Sequence, residues 1–139
     1  MVKPLNPSKI VMLIDDNDID LKINGKIVDF TKLFNDTVVC RSGEEALSYL
    51  KQHLTKPDLL PEFILLDIQM PEMSGFEFLE QYKKLPASFT EVCIIAMLSS
   101  TLDFSDIQRA EANPYVAKLL KKPLIPAVLL EVVKENLHR

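Results

Sequence analysis

The sequence predicts an α/β domain, a parallel β-sheet with helices packed on both faces. Three observations predict it. Short apolar runs recur along the chain, a stretch with apolar residues at helical spacing follows each of them, and the polar residues that stand out fall where the runs end. With 139 residues and 47% hydrophobic content, one domain with a single core accounts for the whole chain. A net charge of -4 and a pI near 5.2 argue against a binder of nucleic-acid backbones. No apolar run reaches the roughly 18 residues of a membrane span, and the N-terminus lacks the apolar core of a secretory signal. A cytoplasmic protein is expected.

Residues 9–14 form a continuous β-branched-rich run, the first strand, and it ends in Asp15-Asp16-Asn17-Asp18. Ile19, Ile23, Ile27, Phe30 and Phe34 then mark one side of a first helix, capped by Asn17 or Asp18, with Gly25 a tolerated weak point. Residues 37–41 read as a second strand. Ser42-Gly43-Glu44-Glu45 opens a second helix with Ala46, Leu47, Leu50 and Leu54 on its apolar side, and residues 56–62, with two prolines, form a loop.

The third strand is the centre of the sequence. Phe63-Ile64-Leu65-Leu66 runs straight into Asp67, and Pro71 and Gly75 close the segment, the pattern of a buried strand delivering one acid to a loop. Phe76, Leu79, Tyr82 and Leu85 mark a third helix that Pro86 stops. Residues 92–98 form a fourth apolar strand ending in Ser99-Ser100-Thr101, and a weakly amphipathic fourth helix spans about 103–112 with Phe104 and Ile107 on its apolar side. Residues 115–120 are a fifth strand, followed by Lys121-Lys122-Pro123. Pro126 suits the first turn of a fifth helix whose stripe is Leu129, Val132, Val133 and Leu137. Cys40 and Cys93 fall inside strands with no metal-ligand spacing and read as buried hydrophobes. Met70, Met73 and Met97 read as packing residues, and His53 and His138 as exposed helix residues without a catalytic role.

In parallel α/β sheets, ligands gather at the carboxyl ends of the strands. Those ends supply Asp15 and Asp16, Asp67, Ser99 and Lys122. Helix capping would account for one or two of the acids, but not for a third at another strand end. Three carboxylates brought together repel unless a cation lies among them, and Mg²⁺ suits one or two carboxylates with water and phosphate oxygens. Carboxylate, Mg²⁺, hydroxyl and ammonium together describe phosphoryl transfer to Asp67.

In this order, these motifs resemble the receiver domain of two-component response regulators: Asp15-Asp16 after the first strand, Asp67 in Leu66-Asp67-Ile68-Gln69-Met70-Pro71 with Gly75 following, Ser99, and Lys122-Pro123. The resemblance covers essentially the whole chain and implies a flavodoxin-like sheet of strand order 2-1-3-4-5 with five helices, a core of about residues 9–138 and no output domain. It makes Asp67 the phosphoacceptor, with Ser99 and Lys122 holding the phosphoryl oxygens. Asp16, Asp67 and the backbone carbonyl of Gln69 would bind Mg²⁺ directly and Asp15 through water. It also implies a cis Lys122-Pro123 peptide. Gln69 and Thr101 become the residues tuning the lifetime of the adduct. The partners it implies are a sensor histidine kinase or phosphotransfer protein and an unidentified downstream protein, with self-association through the fourth helix, fifth strand and fifth helix. Catalysis would be limited to the domain's own phosphorylation and dephosphorylation.

Two positions depart from the pattern, and one of them, Leu124 after Lys122-Pro123 where an aromatic is common, changes packing more than chemistry. The aromatic switch residue three places before the site lysine is here Leu119. A second register, with Lys118 as site lysine and Tyr115 as the aromatic, lacks the following proline. A degenerate receiver that binds its partner without phosphorylation is therefore an alternative. A small Mg²⁺-dependent phosphohydrolase using Asp67 is another, though it would want an acid where Gln69 stands.

Overall fold

A computed structural model describes residues 9–136. Five parallel strands, β1 (Ile10–Ile14), β2 (Asp36–Cys40), β3 (Phe63–Asp67), β4 (Ile94–Ser99) and β5 (Val116–Lys121), form one sheet of order β2-β1-β3-β4-β5. The helices are α1 (Asp18–Thr31), α2 (Gly43–Gln52), α3 (Gly75–Tyr82), α4 (Ala87–Thr90), α5 (Phe104–Ala112) and α6 (Pro126–Asn136). The predicted class and strand order are those observed, and the two elements beyond expectation are short. α4 is a single turn after Pro86 that buries Phe89, and Pro57–Leu59 forms a 3₁₀ turn in the predicted loop.

Alternation along each strand sorts the core into two layers. Met12, Ile14, Ile64, Leu66, Ile95 and Met97 face α2, α3 and Ala110 of α5. Val11, Leu13, Phe63, Leu65, Ala96 and Leu98 face α1 and α6. β1, β3 and β4 are buried along their whole length, as their unbroken apolar runs require, whereas the edge strands β2 and β5 are half exposed. The apolar sides expected of α2, α3 and α6 face the core, Leu54 being half-buried; Leu137 and His138 lie outside the described residues.

α1 is turned differently from its most apolar side. Leu21, Asn24 and Val28 are buried, while Ile19 and Phe30 are 70% and 74% exposed and Ile23 is also exposed. The helix start explains the rotation. Asn17 caps it by accepting from the Asp20 N–H, and Asp15 accepts the Asn17 N–H at 3.0 Å, so the loop after β1 sets the phase. α5 likewise leaves Phe104 72% exposed and buries Ala110. His53 is half-buried at the C-terminus of α2, with Nδ1 2.7 Å from the Tyr49 carbonyl oxygen.

Tyr82 lies at the centre of the α3 layer, its ring against Phe78, Phe89 and Tyr115. Its hydroxyl is buried without a hydrogen-bond partner of good geometry and has the Cys93 thiol beside it. Removing an ill-satisfied buried hydroxyl relieves its desolvation cost. Tyr82→Phe is expected to leave stability unchanged or raise it by up to about 1 kcal/mol in urea denaturation. A loss above about 1 kcal/mol would show that the hydroxyl is well bonded. Burial pushes the thiols of Cys40 and Cys93 up to about 12, which suits the inert role expected of them.

Candidate functional site

Parallel pairing brings the carboxyl ends of β1, β3, β4 and β5 to one edge of the sheet, and each delivers a polar residue there. Asp15 follows β1 and is 2% exposed; Asp67 is the last residue of β3 and is 5% exposed. Asp16 beside them is open to solvent. Carboxylate oxygens of Asp15, Asp16 and Asp67 all lie within 4.8 Å of one another. Oxygen-only donors on one exposed and two buried acids fit a hard divalent cation that keeps part of its water shell.

Lys122 reaches this cluster from the end of β5. Its Nζ lies 2.9 Å from Asp15 Oδ2, 2.9 Å from Asp20 Oδ2 and 3.2 Å from Asp67 Oδ1. The Lys122 N–H donates to the Ser99 carbonyl at 2.8 Å, and the Lys122-Pro123 peptide is cis, as the family resemblance implied. Lys118, the competing choice, is exposed in mid-strand opposite Ala96, and Tyr115 packs edge-on against Tyr82 in the core. Leu119 is half-buried against the α3-side layer.

Burial, and then the charge of Asp15, push the Asp67 carboxyl up to about 6, against the opposing pull of Lys122. Burial disfavours the Lys122 charge, but hydrogen bonds to Asp15 and Asp20 and the charges of Asp67 and Asp15 outweigh it and raise the ammonium above its ordinary range. Metal-free, the site therefore holds more negative charge than its one lysine balances.

Ser99 is 1% exposed at the end of β4. Its hydroxyl donates to the Thr101 carbonyl, and Oγ accepts the Thr101 N–H at 3.2 Å, so it closes its own loop. Gln69 and Thr101 are exposed on the rim. Sequence reasoning missed Asp20, which contacts a residue 102 positions away. The only local trace was its place in the first turn of a capped helix.

Residues 11–134 match the family model of the response regulator receiver domain. The chain belongs to that family. A crystal structure of a two-component response regulator from Cytophaga hutchinsonii is 30% identical to this receiver domain, covering 94% of this chain and 98% of that one with a TM-score of 0.87. A response regulator receiver protein from Dyadobacter fermentans is 35% identical, covering 93% and 98% with a TM-score of 0.83. The polar-differentiation response regulator DivK of Brucella ovis is 28% identical over 118 residues, 84% of this receiver domain and 89% of DivK. Among the described residues, no helix of the receiver domain is long and apolar enough to cross a membrane.

Proposed function

We propose that Asp67 takes a phosphoryl group from a phosphohistidine of a sensor kinase or phosphotransfer protein, and that the adduct changes the domain's affinity for another protein or is relayed onward. The observation that carries this reading is the buried Asp67 carboxylate in ionic contact with Lys122 and next to Asp15 and Asp16. An Asp67 oxygen attacks phosphorus as the bond from phosphorus to the imidazole nitrogen breaks, giving an aspartyl phosphate and free histidine. Lys122 supplies a fixed positive charge beside the reacting oxygen. Ser99 would exchange the Thr101 carbonyl for a phosphoryl oxygen.

Mg²⁺ would be held by Asp15, Asp16, Asp67 and the Gln69 backbone carbonyl, and when bound it neutralises charge on the transferring group. Gln69 and Thr101, on the open rim, would meet the water that ends the adduct's life. The matched regions cover most of each relative, 89% of DivK and 98% of each of the two solved structures. Leu119 at the switch position supports a second reading, a receiver that holds its partner constitutively. Equal partner binding by the wild type with and without phosphodonor would decide for it.

The test is intact-mass spectrometry after incubation with acetyl phosphate. A Mg²⁺-dependent adduct of one phosphoryl group that maps to Asp67 is expected. No adduct on folded, Mg²⁺-bound protein would overturn the reading.

A further inference from the structure

Asp20 belongs to none of the motifs of the phosphoryl site, yet it contacts the site lysine as closely as Asp15 does, 2.9 Å in each case. An ammonium has three N–H donors, and Lys122 has three carboxylate partners: Asp15, Asp20 and the slightly longer contact to Asp67 at 3.2 Å. Two of those donors hydrogen-bond to Asp15 and Asp20, and the contact to Asp67 is ionic. Asp15 and Asp67 also belong to the cluster of carboxylates suited to a cation, and Asp20 does not. Of the three partners, Asp20 alone has no second task at the site.

The backbone explains how Asp20 is held there. Asp15 Oδ1 accepts the Asn17 N–H at 3.0 Å, and Asn17 Oδ1 accepts the Asp20 N–H at 3.0 Å. The loop that places Asp15 therefore also sets the first turn of α1, from which Asp20 reaches back to Lys122. This side of α1 faces the site at the expense of Ile19 and Phe30, which are left in solvent.

We propose that Asp20 is a positioning residue for phosphoryl transfer, anchoring Lys122 so that its charge stays beside Asp67 and its free donor meets a phosphoryl oxygen when the adduct forms. The inference rests on the reading of Asp67 as phosphoacceptor. A cation drawing on Asp15 and Asp67 would leave Asp20 as the partner that keeps the ammonium in place. Loss of such an anchor lowers the rate of transfer through misalignment, without removing a reacting group.

Two measurements test it. The first is the rate of adduct formation with acetyl phosphate at saturating Mg²⁺, for wild type, Asp20→Ala, Asp20→Asn and Asp20→Glu, each also combined with Lys122→Met. Asp20→Ala and Asp20→Asn should slow labelling roughly tenfold, Asp20→Glu should restore part of the rate, and in the Lys122→Met background all should be without further effect. The second is ¹⁵N relaxation of the Lys122 ammonium in metal-free protein, where Asp20→Ala should increase its mobility. Unchanged labelling, an equal loss with Lys122 already absent, or an ammonium as rigid without Asp20 would each overturn the proposal. If wild type itself takes no adduct, the phosphoacceptor reading fails, and the relaxation measurement still decides whether Asp20 anchors Lys122.

Discussion

Asp67→Asn is expected to abolish adduct formation and, in metal-free protein at neutral pH, to raise stability. The first effect follows from losing the attacking oxygen. The second follows from the environment of Asp67, whose carboxyl is pushed up to about 6 by burial and by Asp15. A group bound to its proton more tightly in the folded than in the unfolded state contributes stability that is fully present below its unfolded pKa of about 4. That contribution is lost as pH rises through about 6. Metal-free wild type should therefore lose this contribution from pH 4 to 7, while Asp67→Asn, an isostere of the protonated acid, is spared the loss. The gap between them should open across that window and level off near neutrality at roughly 1–3 kcal/mol, allowing for screening at a site with one open edge. Mg²⁺ should reverse the order by stabilising wild type more than the variant. Urea denaturation at pH 4.5 and 7.5, with and without Mg²⁺, measures all of this. A variant less stable than metal-free wild type at pH 7.5 would show that Lys122 outweighs burial and Asp15 at Asp67.

The same balance marks the limit of what was legible in the chain. The fold was readable because β1, β3 and β4 are apolar from end to end, and only a sheet covered on both faces buries such strands. The site was readable because each of Asp15, Asp67, Ser99 and Lys122 sits at a strand end, so parallel topology alone brings them to one edge. What topology does not encode is how a helix is rotated against the sheet. The most apolar stripe of α1, through Ile19, Ile23 and Phe30, suggested one rotation, and the structure adopts another that buries Leu21, Asn24 and Val28. Capping by Asn17 and the ion pair from Asp20 to Lys122 act at the first turn and favour the observed phase. The sequence offered the cap as Asn17 or Asp18 without the phase it sets, and the ion pair has no periodicity that a pattern could report. For α4 the reason is scale: one turn held by a buried Phe89 is too short to carry a helical repeat.

Gly75→Ala is expected to be the most damaging single-methyl change in the domain, and its three glycines make a graded test. Gly75 opens α3 directly behind the end of β3. A Cβ there would lie 2.6 Å from the Asp67 carbonyl oxygen, 2.9 Å from Met97 Cε and 3.0 Å from Ile68 Cα. Two of those atoms are backbone, and the Gly75 N–H already donates to the Ile68 carbonyl at 2.8 Å, so the loop has no slack. Gly75 does not have a positive φ, which makes the requirement one of space alone. At Gly43 the closest atom is Met73 Sδ at 2.6 Å, the far part of a flexible side chain, and at Gly25 nothing lies within 4 Å. Overpacking against fixed backbone costs about 1–3 kcal/mol, and Gly75→Ala should fall at the upper end, lowering Tm by roughly 10 °C. Gly43→Ala should cost under about 1 kcal/mol, and Gly25→Ala, within α1, should stabilise by about 0.5–1 kcal/mol through helix propensity. Because the clash falls on the backbone of Asp67, Gly75→Ala should also slow labelling by acetyl phosphate, whereas the other two should label as wild type does. Calorimetry and labelling of the three variants check both parts. A Gly75→Ala protein with unchanged Tm would mean that α3 can draw back from β3 at little cost, and its labelling rate would then report how far Asp67 had moved with it.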